Sequence, residues 1–229
     1  MGGEKDFFEK TRHGLIVSCQ ALPDEPLYSS YIMSRMACAA QMGGACGLRA
    51  NTVPDILEIR KLVKLPMIGI IKKNYDNSQV VITPTQKEVD ELAVTGVEVI
   101  AMDATNRIRP DGLRISETFP KIRAAYPHQL FMADCSTFED GVRAEELGFD
   151  IVATTLAGYT NETKDRTLPD FELIDQLCKK IKVPVIVEGG IWSPETLHKI
   201  IRMPGVHACV VGSAITRPME ITKAYVAQL

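Results

Sequence analysis

A series of short apolar runs in this chain end on residues that can bind a ligand or move a proton: Gln20, Arg49, Lys72, Asp103, Asp134, Thr154 or Thr155, and Glu188. A charged side chain at the end of an apolar run is costly to bury unless it is paired or at work. The set is therefore read as one converging group. Lys72 and Glu188 suit acid–base chemistry. A lysine in a partly desolvated mouth beside Arg49 has its pKa lowered toward use as a neutral base, with Glu188 opposing in part. A glutamate at a dry strand end has its pKa raised and suits an acid. A Schiff base on Lys72 is an alternative use of the same amine. Asp103 and Asp134 are expected to hydrogen-bond and to pair with Lys72 or Arg49. The histidines are His13, His128, His198 and His207. None ends an apolar run and no two stand at ligand spacing, so no metal and no other cofactor is expected. A serine or cysteine nucleophile would lack a histidine base, and Cys19 and Cys135 read as packing residues.

A second chemical feature lies between Val183 and Pro218. A β-branched run meets Glu188, Gly189 and Gly190, and Ser193 and Pro194 then start a helix. Cys209-Val-Val is followed by Gly212 and Ser213, with Thr216 as the expected cap of a last helix. Two successive strand–glycine–helix turns late in a chain of such units are how a (β/α)8 barrel makes a phosphate site after its seventh and eighth strands. Backbone N–H groups approach the anion there, and a helix N-terminus adds positive potential.

These residues need a frame. Buried-strand runs alternate with helical periodicity along the chain: strands at Gly14–Gln20, Ala45–Arg49, Pro66–Lys72, Val99–Asp103, Leu130–Asp134, Asp150–Thr155, Pro184–Val187 and Cys209–Val211, with helices between them. Capping boxes are expected at Thr85 with Glu88 and at Ser136 with Glu139. Gly148 is expected to end a helix. The segment GYTNETKDRTL reads as a mobile polar loop, and the first dozen residues as a polar lead-in. Strands alternating with helices imply a parallel sheet, and eight repeats imply an α/β (β/α)8 TIM barrel. An open doubly wound sheet is the alternative, but no G-x-G-x-x-G follows the first strand. No linker or domain boundary interrupts residues 1–229, which are read as one barrel domain.

Composition narrows the class. The chain has 229 residues, 45% hydrophobic, and a net charge of −3. That balance does not suggest a nucleic-acid partner or a membrane surface. No apolar run approaches membrane-spanning length, and the charged N-terminus lacks a signal-peptide core. Six cysteines without a C-x-x-C pair read as reduced residues of a cytoplasmic protein. Self-association as a homodimer, with a contribution from the C-terminal ITKAYVAQL, is expected.

The motifs GLIVSCQALPDEPL, GLRANT, IGIIKKNYD, MDATNRIRP, MADCST, VATTLAGYT, VIVEGG and VVGSAITRP together resemble the N-acylglucosamine-6-phosphate 2-epimerase family, also called N-acetylmannosamine-6-phosphate 2-epimerases. The resemblance covers residues 13 to 229. It implies a (β/α)8 barrel, no metal, and interconversion of N-acetylmannosamine 6-phosphate and N-acetylglucosamine 6-phosphate in sialic acid and amino sugar catabolism. It places the catalytic pair on Lys72 and Glu188. It places sugar binding on Gln20, Arg49 and Asp134, and phosphate binding on Gly189, Gly190, Gly212, Ser213 and Arg217. Two positions depart from the pattern: Gly190, where many relatives have Arg or Asn, and Cys135, where Ile is common. The competing readings are a lysine-dependent sugar-phosphate lyase and a non-catalytic sugar-phosphate sensor.

Overall fold

The computed structural model describes residues 3–229. Its eight strands are β1 (Leu15–Cys19), β2 (Gly47–Asn51), β3 (Met67–Ile70), β4 (Val99–Asp103), β5 (Leu130–Asp134), β6 (Ile151–Ala153), β7 (Val185–Glu188) and β8 (Val206–Val211). They pair in chain order, all parallel, and β1 closes on β8. The helices are α1 (Gly3–Thr11), α2 (Ser30–Met42), α3 (Val53–Arg60), α4 (Gln86–Ala93), α5 (Ile115–Ala125), α6 (Phe138–Leu147), α7 (Phe171–Lys180), α8 (Pro194–Ile201), α9 (Ser213–Thr216) and α10 (Pro218–Val226). The (β/α)8 barrel expected from the sequence is thus present.

Because side chains alternate along a strand, each strand feeds two separate cores. One phase, including Leu48, Ile100, Phe131 and Val187, packs outward against the helices. The other, including Ile16, Ile68, Val99, Met132, Ile186 and Val210, fills the barrel interior. Continuing the inward phase past each last apolar residue leads to Gln20, Arg49, Lys72, Asp103, Asp134, Thr155, Glu188 and Gly212. The polar strand ends therefore form the top layer of the barrel stack, which is why they converge.

Local sequence sets the helix starts. Thr85 and Glu88 form the expected capping box on α4, Ser193 caps α8 with Pro194 behind it, and Gly148 ends α6 in the left-handed conformation at φ 90°. Four expectations are corrected. The box on α6 is Thr137 with Asp140, one residue later than Ser136 with Glu139. Ser136 instead joins a buried hydroxyl cluster with Thr160 (2.6 Å) and Thr163 (2.8 Å), which ties down the loop read as mobile. Thr216 does not cap α10; its hydroxyl donates to the carbonyl of Ser18 at 2.6 Å and locks the chain end onto β1. The N-terminal lead-in is also not a plain tail, since α1 inserts the fully buried Phe7 into the interior core. Among the described residues no helix is long and apolar enough to cross a membrane.

Candidate active site

The top layer surrounds a cavity of about 420 Å³. Gln20, Lys72, Asp103, Thr155, Glu188, Gly189, Gly190, Gly212, Ser213 and Arg217 all line it. Lys72 stands at the end of β3 and Glu188 at the end of β7, four strands apart and hence on opposite sides of the ring. The Lys72 backbone is fixed on both sides, by an antiparallel bridge to Ile82 and by its N–H donating to the Asn51 side chain at 2.9 Å.

Glu188 and Thr155 carry the cavity wall into an ion network. Arg49 is 1% exposed and Asp134 is fully buried. The guanidinium grips Asp134 through two bonds of 3.0 and 2.6 Å, and donates a third to Glu188 Oε2 at 2.9 Å. The Thr155 hydroxyl lies 2.6 Å from Asp134 and 3.2 Å from Glu188. Thr154 points the other way along the strand and brackets the Glu188 backbone, donating to its carbonyl and accepting from its N–H. Glu188 is thus held at both its backbone and its carboxylate. Arg49 and Asp134, expected as sugar-binding residues, belong to the same layer but do not line the cavity, and are engaged with each other. A bidentate guanidinium–carboxylate pair of this burial is rigid because losing either partner strands a charge.

The electrostatics follow from that arrangement. Burial lowers the Lys72 pKa, and the Arg49 cation adds to this, against opposition from Glu188 and Asp134. Burial raises the Glu188 pKa despite Arg49, and Asp134 pushes it further up. The two groups are displaced toward each other, a pattern suited to acid–base chemistry. The pairing expected of Asp103 is corrected: its carboxylate bonds Arg107 at 2.5 Å, Thr105 Oγ1 at 2.7 Å and the Thr105 amide at 3.0 Å, not Lys72 or Arg49. Cys19 and Cys135 are buried, and desolvation holds the Cys19 thiol up at about 12, far from a thiolate nucleophile. Among the described residues no group of three or more His, Cys, Asp and Glu side chains is placed to hold a metal ion.

The glycine turns form the wall at β7 and β8. Gly189 and Gly190 have φ of 105° and 72°, in the region that favours glycine. A Cβ on Gly190 would stand 2.5 Å from Leu168 Cβ and 2.8 Å from its carbonyl carbon. No side chain fits there without a shift. Arg217 reaches the cavity but forms an ion pair with Glu25, in the loop after β1. The lining residues not singled out from the sequence include Arg107, Tyr159 and Trp192. Tyr159 and Trp192 are 65% and 49% exposed at the rim. Their loops showed no periodicity that could have flagged them.

Comparison with known proteins now bears on this geometry. The family model for N-acetylmannosamine-6-phosphate epimerase matches residues 33–229. A Clostridium perfringens protein named as an N-acetylmannosamine-6-phosphate 2-epimerase is 56% identical over 211 residues, 92% of this chain and 94% of that protein. One of the same name from Caldanaerobacter subterraneus subsp. tengcongensis is 49% identical over 223 residues, 97% of this chain and 94% of that protein. The solved structure of the N-acetylmannosamine-6-phosphate 2-epimerase from Clostridium perfringens superposes with a TM-score of 0.92 at 53% identity, covering 97% of this chain and 96% of that one. A thiamine phosphate pyrophosphorylase from Pyrococcus furiosus shares the fold alone, at TM-score 0.61 and 15% identity, covering 96% of this chain and 99% of that one. With the family model spanning most of the barrel and relatives about half identical over nearly its whole length, the chain belongs to the N-acetylmannosamine-6-phosphate epimerase family.

Proposed function

We infer that this protein is a carbohydrate isomerase that interconverts N-acetylmannosamine 6-phosphate and N-acetylglucosamine 6-phosphate, in amino sugar and sialic acid catabolism. Family membership supports the substrate. The observation that carries the chemistry is the placement of Lys72 and Glu188 on opposite sides of one cavity whose third wall is the pair of glycine turns.

C2 of the closed sugar is not acidic. Opening the ring exposes a C1 aldehyde and makes the C2 proton removable. Glu188, whose pKa burial raises, delivers a proton at the C1 or ring oxygen. Lys72, whose pKa burial lowers, takes the C2 proton in its neutral form. Gln20 reaches the intermediate from the cavity wall. Arg49 supplies positive potential from behind the cavity wall while holding Glu188, and Asp134 holds Arg49. Gly189, Gly190, Gly212 and Ser213 cradle the phosphate with backbone N–H groups, and Arg217 closes that end. Inversion is completed when Lys72 returns a proton to the other face of the rotated intermediate, the C1 oxygen gives its proton back to Glu188, and the ring recloses. No metal or other cofactor enters this scheme.

The test is proton NMR in D2O with purified protein and N-acetylmannosamine 6-phosphate. Loss of the C2 proton signal with growth of the N-acetylglucosamine epimer is expected. No exchange and no product would overturn the reading. Near-normal turnover by Lys72→Ala would overturn the assignment of the base. The six cysteines are free, as in a protein kept in a reducing compartment, which supports a cytoplasmic location. The exposed Met219, Tyr225, Val226 and Leu229 on and beside α10 support a homodimer, and sedimentation showing a monomer at working concentration would remove that proposal.

A further inference from the structure

Arg107 is a second guanidinium at the cavity, and the acid–base scheme makes no use of it. It stands in the loop after β4 and is held rigidly. Its Nε donates to Thr105 Oγ1 at 2.9 Å and its Nη2 to Asp103 Oδ2 at 2.5 Å. Asp103 is fully buried, and Thr105 is 4% exposed. The loop itself is pinned by the fully buried Arg109, which donates to the carbonyls of Pro84, Asp103 and Thr83 at 2.9, 2.7 and 3.0 Å. Side-chain entropy that a free arginine would lose on binding has thus already been lost in folding. A guanidinium carries five N–H donors. Two are used here, so three have no protein acceptor among the described residues. The side chain remains 23% exposed. A preorganised arginine with an open donor edge in a ligand cavity is suited to an acceptor oxygen of the ligand.

Position in the barrel narrows which oxygen. β4 lies four strands from β8, so Arg107 faces the glycine turns across the mouth. It is close to the base: the Asp103 amide donates to the Ile82 carbonyl at 3.0 Å, and Ile82 is the residue bridged to Lys72. With the phosphate at β7 and β8 and C2 at Lys72, as in the function proposed above, the wall beside C2 is that of β3 and β4. On the substrate proposed above, that carbon carries the acylamino group. Resting on that reading, we propose that Arg107 is a specificity-determining residue, whose free guanidinium edge donates to the carbonyl oxygen of the acylamino group on C2.

The test uses two open-chain ligands that cannot react, N-acetylglucosaminitol 6-phosphate and glucitol 6-phosphate. They share the phosphate and chain and differ in an acetamido or hydroxyl group on C2. Their Kd values are measured by calorimetry with wild type, Arg107→Met and Arg107→Lys. Arg107→Met should lose about tenfold to a hundredfold on the acetamido ligand and less than about twofold on glucitol 6-phosphate, with Arg107→Lys between. The ratio of the two Kd values is insensitive to any loss of folded protein. Equal weakening of both ligands would overturn the proposal by showing that Arg107 serves the phosphate or the chain hydroxyls, and so would no weakening of either. The epimerisation assay on the wild type separates the two levels. Turnover with an indifferent Arg107→Met ratio removes only this proposal, whereas no turnover and no preference for the acetamido ligand removes both.

Discussion

At the residue scale, the site is organised by a shortage of protons. Arg49 contributes one buried positive charge against two carboxylates, Asp134 and Glu188. With Lys72 above them, the group is electrically balanced in two ways: Lys72 charged with Glu188 ionised, or both neutral. The second arrangement is the one that can take a proton from carbon while giving one to oxygen. Activity should therefore be bell-shaped in pH, with apparent values that belong to the pair. The acid limb should lie above the ordinary glutamate range and the alkaline limb below the ordinary lysine range, as the two directions of shift require. Thr155 sets the balance, because its single hydroxyl proton is offered to both carboxylates and its bond to Glu188 favours the ionised form. Thr155→Val should move the acid limb up, while Thr155→Ser restores it. A pH–rate profile left in place by Thr155→Val would show that the hydroxyl does not govern Glu188. Arg49→Met should cost about 3–5 kcal/mol of stability by stranding Asp134, measured by denaturant unfolding.

At the scale of elements, most of the site was readable because one rule, alternation along strands, sends every polar strand end inward. Gln20, Lys72 and Glu188 needed only that rule. The partners could not be read the same way. Asp103 and Asp134 end adjacent strands in identical fashion, yet one bonds Arg107 from its own loop and the other bonds Arg49 from across the barrel. Which arginine reaches which aspartate depends on loop backbone, not on periodicity. The α6 cap failed for a related reason. Ser136 and Thr137 are both good caps followed three residues later by an acid, and the choice is made by tertiary contact, since Thr160 and Thr163 claim the Ser136 hydroxyl. Thr137→Ala should therefore destabilise by about 1 kcal/mol as a lost cap, a Tm fall of about 2–4 °C. Ser136→Ala should leave α6 intact and loosen residues 158–163, read by hydrogen exchange. If the two variants gave the same exchange pattern, the one-residue shift of the cap would be wrong. Gly190→Asn tests the turn itself. Positive φ and the close Leu168 backbone should raise KM for the sugar phosphate, with a stability loss of about 1–3 kcal/mol.

At the scale of the whole molecule, the barrel has a working end and a sealed end. The seal is α1, which the sequence disguised as a polar lead-in because its two aromatics, Phe7 and Phe8, are adjacent instead of helically spaced. Phe7 fills the interior core, Phe8 meets Phe7 and His207 edge-on with ring centroids 5.6 Å apart, and Thr11 bonds the His207 ring at 3.0 Å. Burial, with Arg12 and His13 nearby, pushes the His207 pKa down from 6.5 to about 4. Between those values the unfolded chain binds a proton that the folded chain does not, so stability should fall as pH drops from 6.5 toward 4. Since the inner stack is continuous from this floor to the catalytic layer, the question is whether the floor transmits strain to the mouth. A close-packed barrel predicts that it does not, because each layer is separately braced by ladder hydrogen bonds and by its own side chains. Phe7→Ala should therefore remove about 3–5 kcal/mol of stability while leaving kcat, KM and the pH limbs unchanged at temperatures where the protein stays folded. Thermal unfolding and steady-state kinetics on the same preparation decide this. A variant that lost turnover without losing stability would mean that the sealed end shapes the site, and that Lys72 and Glu188 are positioned by the whole stack and not by their own layer.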